Sequence, residues 1–215
     1  MQKTDIMGGK RDTMTKSIEE FNGPRKVLNV GGGDKRIPIP EIFSDWQHDL
    51  LDIDPHGKPE LLCDARDLYK TSPRVYDAIY CSHNLEHYYH HEVPRVLMGF
   101  KLALKKDGFA FIKVPDMLAV MKAVIENGLD IEDVLYNADC GPILVRDVIY
   151  GFNIQIERSG NDFYAHKTGF TKKSLNDLLT QGGFPYIFAG EGLYEIKVLA
   201  FKQKPNNFQM ELLGL

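Results

Sequence analysis

The sequence is poor in cysteine, lacks any long apolar run and carries no excess of basic charge. Its three cysteines, Cys63, Cys81 and Cys140, are odd in number and never form a C-x-x-C pair. That spacing excludes a disulfide framework and a cysteine zinc site, and it points to a reducing, cytoplasmic setting. No stretch approaches the ~20 apolar residues that span a bilayer, and the start MQKTDIMGGKRD lacks the apolar centre of a signal peptide, so no membrane partner is expected. Lys plus Arg number 26 against 30 Asp plus Glu, a formal charge of -4 with no basic run. This balance argues against a dedicated phosphate-backbone binder, and no nucleic acid is expected as a partner. Internal repeats and low-complexity tracts are likewise missing.

What is present is an ordinary globular composition, 43% hydrophobic and 26% charged over 215 residues, which suits one domain with a full core. The polar stretch 1–22, with a hint of helix from Thr15 to Phe21, reads as an N-terminal extension, and residues 23–215 as the domain. From Arg25 onward short apolar runs appear, KVLNV, HDLLDI, ELLC, YDAIYC and FAFIKV, each stopped by Gly, Asp or Pro. Runs apolar on both faces, separated by stretches with helical spacing such as Val93, Val96, Leu97 and Phe100, predict parallel strands joined by crossover helices. The simplest architecture is an α/β doubly wound sheet with its ligand crevice at the carboxyl ends of the strands. Residues 116–168 read as mostly helical (MLAVMKAVIENG, DIEDVLY, ILVRDVIYG) and are too long for one crossover, so we expect a helical lid insertion after the fifth strand. Thr171 is a candidate N-cap for KKSLNDLLTQ, Gly182 and Gly183 a candidate stop, and PYIFAG and YEIKVLAFK the last strands.

Three signals fall in order at successive strand ends. In VLNVGGGD an apolar strand runs into three glycines, which permit unusual dihedrals and close approach of a ligand backbone. A dinucleotide fingerprint would place another glycine where Asp34, Lys35 and Arg36 stand, so pyrophosphate binding is disfavoured. In LLDIDP, Asp52 lies at about the ~20-residue distance expected of an acid that grips a ribose, with Asp54 read as a turn residue before Pro55. In LLCDARDL, Asp64 is positioned to accept from an exocyclic amine such as that of adenine. Any one of these acids alone is an ordinary turn residue; their order is the evidence.

Together VLNVGGGD, LLDIDP, CDARDL, YDAIYCSHNLEHYYHHEV and FAFIKVPDM resemble the class I S-adenosylmethionine-dependent methyltransferase family over residues 25–116, with weaker similarity in HKTGF and LNDLLTQGGF. The resemblance implies a Rossmann-like, mostly parallel seven-stranded sheet whose last strands form an antiparallel hairpin. It implies S-adenosylmethionine as cofactor, the glycine turn facing its methionine part, Asp52 its ribose and Asp64 its adenine. The cofactor set expected on this basis is Asn29, Gly31, Gly32, Gly33, Asp52, Ile53, Asp64, Ala65, Ser82 and His83. Asn29 departs from the Asp or Glu often found two residues before the first glycine, and brings no charge to the methionyl ammonium.

A rival lies at residues 83–87, His-Asn-Leu-Glu-His, a formal match to the H-x-x-E-H zinc signature. On a helix His83 and His87 would share a face, with Glu86 as base and Glu157 as a further ligand, giving a metal-dependent hydrolase. The resemblance instead puts this segment beside the cofactor with no metal needed, and it also accounts for the three upstream signals; no metal ligand is assigned. A non-catalytic nucleoside-binding module is a third reading. Methyl transfer needs a base only when the nucleophile must lose a proton. The candidates are His87, His166 and Asp116, with His83 behind them; Asp116 is equally suited to cap the helix after Pro115. Tyr88, Tyr89, Tyr150, Phe152, Phe163 and Tyr164 are candidates to line an acceptor pocket. The charge balance favours a small-molecule or sugar-derived acceptor over a nucleic acid.

Overall fold

A computed structural model describes residues 23–71 and 74–215. The expected N-terminal extension, with its helix over Thr15 to Phe21, lies outside the described residues. Five parallel strands form the larger part of a sheet: β1 (Lys26–Val30), β2 (Gln47–Asp52), β3 (Leu61–Leu62), β4 (Tyr76–Ser82) and β5 (Leu104–Pro115). An inserted segment follows, with α2 (Met117–Asn127), a hairpin of β6 (Val134–Ala138) and β7 (Gly141–Leu144), α3 (Val145–Tyr150) and α4 (Asn153–Ser159). The chain then returns through α5 (Lys172–Gln181) to the antiparallel pair β8 (Tyr186–Glu191) and β9 (Glu195–Phe201), and ends in α6 (Asn207–Leu213). The seven-stranded order is β3-β2-β1-β4-β5-β9-β8, with β9 antiparallel to β5. The doubly wound sheet and the terminal hairpin are as the sequence predicts.

Alternation along the strands builds two cores on opposite faces of the sheet. Leu28, Val30, Ile79, Cys81, Ala110 and Ile112 meet α1 (Val93–Ala103) and α5 on one face. In α1, Val93, Val96, Leu97 and Phe100 recur at helical spacing and are fully buried, and Pro94 sits in the first turn, where its missing N–H costs nothing. Thr171 caps α5 by accepting from the Ser174 amide at 3.2 Å, and Gly182 ends it. The other face holds Val27, Ala78, Tyr80, Phe109 and Phe201, covered by Phe43 and Trp46.

Two expectations are corrected. Parallel strands joined by crossover helices were expected, and the stretch named for its helical spacing does form α1 between β4 and β5, but among the described residues the other parallel connections hold only 3-10 turns. The β1–β2 connection contains a single 3-10 turn, Glu41–Phe43. Aromatic packing does the helix's work there: the Phe43 and Trp46 rings lie 5.2 Å apart, and both contact Phe109. The insertion is also less helical than its pattern suggests. VLYNA and GPIL form the β6–β7 hairpin, because an apolar run as short as VLY satisfies a strand as well as a helix and the Asp139-Cys140-Gly141 turn favours reversal. The insertion has its own small core of Val120, Ala123, Leu135, Ile143, Val145 and Val148. Among the described residues no helix is long and apolar enough to cross a membrane.

Candidate functional site

The strand order reverses between β1 and β4, and the crevice outside the carboxyl ends of such strands is where open α/β sheets bind ligands. Gly31 follows β1 and His83 follows β4 at this point. A cavity of about 360 Å³ opens there, floored by Gly31 and Gly33, with Asp52, Ile53, Asp64 and Ala65 along one side. A second, of about 380 Å³, lies between the strand ends and the insertion, lined by Pro115, Tyr136, Ile143, Phe152, Tyr194 and Glu195 among others. His83, His87 and Tyr164 belong to both linings, so the two spaces adjoin across these side chains.

The glycine turn leaves no room for a side chain at its first two positions. Gly31 has φ 70°, and a Cβ on it would stand 2.0 Å from Asn84 Nδ2. Asp52 ties this turn to the end of β2. Its carboxylate is buried and accepts from the Gly33 amide at 2.8 Å and from the Asp54 amide at 2.9 Å. A carboxylate has about four acceptor positions, so capacity remains for a ligand's hydroxyls. Asp54 turns instead onto His56, accepting from its amide at 2.9 Å, as a turn residue should.

Asp64 is more committed than its sequence position suggests. It caps the turn Ala65–Lys70 through the Arg66 amide at 2.8 Å and is gripped by the Arg66 guanidinium, with Nη2 at 2.6 Å. Burial raises the Asp64 carboxyl, but the Arg66 hydrogen bonds outweigh it and hold the group below its ordinary value. Arg66 also donates to Glu92 and faces the Tyr88 ring.

His83 occupies a left-handed conformation, φ 48°, uncommon for a residue with a side chain and typical of strained functional positions. Its Nε2 donates to Glu195 Oε2 at 3.2 Å and its Nδ1 lies 3.4 Å from Glu86 Oε1. Burial opposes the charged imidazole, but the two carboxylates outweigh it and raise His83 to about 9. The same hydrogen bond is the main reason Glu195 is held down to about 2. His166 donates from Nδ1 to the Val148 carbonyl at 2.8 Å and is lowered by burial.

Of the expected cofactor residues, Gly31, Gly33, Asp52, Ile53, Asp64, Ala65 and His83 come together around the first cavity. Asn29 and Gly32 lie behind it, the Asn29 amide filling the space a Gly32 side chain would need. Ser82 lines neither cavity, because the strand's alternation turns it away. Of the candidate bases, His87 and His166 reach the second cavity. Asp116 reaches neither; its carboxylate caps α2, accepting from Leu118 at 3.0 Å and Ala119 at 3.3 Å. Phe152 and Tyr164 line the second cavity, whereas Tyr88 and Phe163 line the first, and Tyr89 and Tyr150 are exposed. The His83–His87 segment is not an α-helix but a loop entering a 3-10 turn, Leu85–His87, so the two histidines do not share a helical face. Glu157 is exposed on α4 and lines neither cavity. Sequence reading missed Arg66, Asn84, Lys167 and Glu195. The first two adjoin recognised motifs and Lys167 lies within HKTGF, but Glu195 is 112 residues from His83 and no local signal marks it.

No family model matches the sequence, and no curated protein does. Solved structures do. An S-adenosylmethionine-dependent methyltransferase from Archaeoglobus fulgidus is similar at TM-score 0.53 and 14% identity, over 85% of this chain and 88% of that one. The 1,6-didemethyltoxoflavin-N1-methyltransferase of Burkholderia thailandensis, solved with its acceptor and S-adenosylhomocysteine, is similar at TM-score 0.51 and 16% identity, over 84% of this chain and 72% of that one. The CurJ carbon methyltransferase gives TM-score 0.51 and 11% identity, over 84% of this chain and 49% of that one. The chain therefore has the Rossmann-like fold of S-adenosylmethionine-dependent methyltransferases.

Proposed function

We propose that the protein is an S-adenosylmethionine-dependent methyltransferase acting on a small-molecule or sugar-derived acceptor. The observation that carries this reading is the pair of adjoining cavities at the switch point. The first offers a glycine turn and two acids in the order a nucleoside cofactor needs, and the second faces it across His83, His87 and Tyr164. A passive nucleoside-binding module has no use for the second space.

In this reading the Gly31–Gly33 turn takes the methionyl part, Asp52 the ribose hydroxyls, and Asp64 with Ala65 the adenine edge. Asn29 and Gly32 support the turn from behind. The cofactor supplies an activated sulfonium methyl, and the protein's task is to align the acceptor and exclude water. The insertion, which closes over the second cavity, shapes the acceptor site. Where the acceptor must lose a proton, His166 is the best placed base: its Nδ1 is fixed on the Val148 carbonyl, which leaves Nε2 as an acceptor, and His87 stands beside it. The solved structures named above include enzymes of nitrogen and carbon methylation, so fold alone does not choose the acceptor atom. The three cysteines are free, which suits a reducing cytoplasm.

Calorimetric titration with S-adenosylmethionine and S-adenosylhomocysteine tests the reading. Micromolar binding is expected; its absence from folded protein refutes the proposal.

A further inference from the structure

Glu86 is unused by this scheme and is an energetic anomaly. Its side chain is 1% exposed, and neither carboxylate oxygen has a hydrogen-bond partner. A buried carboxylate without donors is costly, and native proteins keep one where a cation compensates it. His83 is the nearest counter-charge, but it approaches only Oε1, at 3.4 Å, and its other nitrogen is engaged by Glu195.

Two more imidazoles stand around the same carboxylate. One ligand atom each from Glu86, His87 and His166 lies within 4.8 Å of the others. His166 is oriented as metal-ligating histidines are, with its Nδ1–H on a backbone carbonyl and Nε2 left over. A neutral His87 also leaves one ring nitrogen unmatched. Both its ring nitrogens face carbonyl oxygens, Nδ1 that of Ala165 and Nε2 that of His83, each at 3.1 Å. A neutral imidazole has one N–H and satisfies one of them.

We infer that Glu86, His87 and His166 form a site for a zinc-class divalent cation beneath the second cavity. Two imidazoles and one carboxylate are the donors that borderline transition metals prefer, whereas calcium and magnesium demand more oxygens. Three protein ligands leave a position open, and His87 and His166 both line the cavity into which it would face. This ligand set differs from the one the H-x-x-E-H pattern suggests: His83 and Glu157 drop out, and His166, 79 positions after His87, enters through the tertiary fold. With the ion bound, His166 Nε2 serves as a ligand rather than as the base, and an acceptor hydroxyl or amine held at the open position would instead release its proton to solvent more readily. That consequence rests on the methyltransferase reading; binding of the ion does not.

The test uses the full chain, stripped with chelator and titrated with Zn²⁺ by calorimetry and Co²⁺ by visible absorption. Variants are Glu86→Gln, His166→Asn, which keeps a donor for the Val148 carbonyl, and the exposed His91→Ala as control. Stoichiometric uptake with the absorption of a low-coordinate nitrogen and oxygen site is expected, weakened about tenfold or more in the first two variants and unchanged in the control. X-ray absorption on zinc-loaded wild type reads the ligand shell without any variant, and two imidazoles plus oxygen are expected. Failure of wild type to take up either ion, a shell with fewer imidazoles, or uptake that survives Glu86→Gln overturns the site. Titration of the stripped protein with S-adenosylhomocysteine reports separately on the methyltransferase reading.

Discussion

Asp52→Asn separates the ligand role of this carboxylate from its structural one. In the fold it accepts two backbone N–H groups, from Gly33 and Asp54, at 2.8 and 2.9 Å. An Asn amide keeps one acceptor oxygen and must turn its NH₂ toward the other donor. One buried backbone donor then goes unsatisfied, at about 1–3 kcal/mol of stability. Ribose hydroxyls lose charge-assisted hydrogen bonds worth about 1.5–3 kcal/mol, and 1.4 kcal/mol is tenfold in affinity, so binding of S-adenosylhomocysteine should weaken roughly 10- to 100-fold. Urea unfolding gives the first quantity and calorimetry at a temperature where the variant is folded gives the second. Asp177→Asn, exposed on α5 and lining neither cavity, is the internal control and should change affinity by less than about threefold. A folded Asp52→Asn protein that binds within about threefold of wild type would show that this acid only pins the turn.

Gly31→Ala should abolish cofactor binding and destabilise the fold by about 1–3 kcal/mol, because φ is 70° and the new Cβ collides with Asn84; a variant with unchanged melting and binding would refute the close-approach argument. Phe43→Ala should cost about 3–5 kcal/mol, read by the fluorescence of Trp46, the single tryptophan, since Phe43 is fully buried and its ring packs on Trp46, Tyr80 and Phe109. Lys202 donates to the Lys101 and Leu104 carbonyls at 3.2 and 2.6 Å, and burial is the main reason it is pushed down to about 8 from 10.5. Between these values the unfolded chain binds more protons than the folded one, so stability should rise with pH from about 8 to 10.5. Lys202→Met should flatten that rise, and an identical pH profile in the two proteins would contradict it.

Much of this protein was legible in its sequence because the relevant signals are local. A buried parallel strand needs apolar residues on both faces, and a ligand turn at its end needs glycine, so VLNVGGGD announces both at once. LLDIDP and CDARDL carry their acids at the strand ends, where the sheet exposes them. The Thr171 cap and the Gly182 stop depend on a few neighbouring residues and were readable for the same reason. The β6–β7 hairpin was not, since its apolar run is too short for periodicity to separate strand from helix. Between β1 and β2 the general expectation of a crossover helix fails, and the rings of Phe43 and Trp46 pack on the sheet there.

Sequence by itself thus determined the strand series, the glycine turn and the order of acids beside it, all consequences of backbone geometry within a few residues. Tertiary structure alone decided which side chains meet. It carried Glu195 to His83 and His166 to Glu86, turned Asp116 into a helix cap, and committed Asp64 to Arg66. The physical reason is that a contact between distant residues depends on how separate elements pack, and no local preference encodes it. The arrangement around Glu86 exists only once β4, its following turn and the end of the insertion have come together.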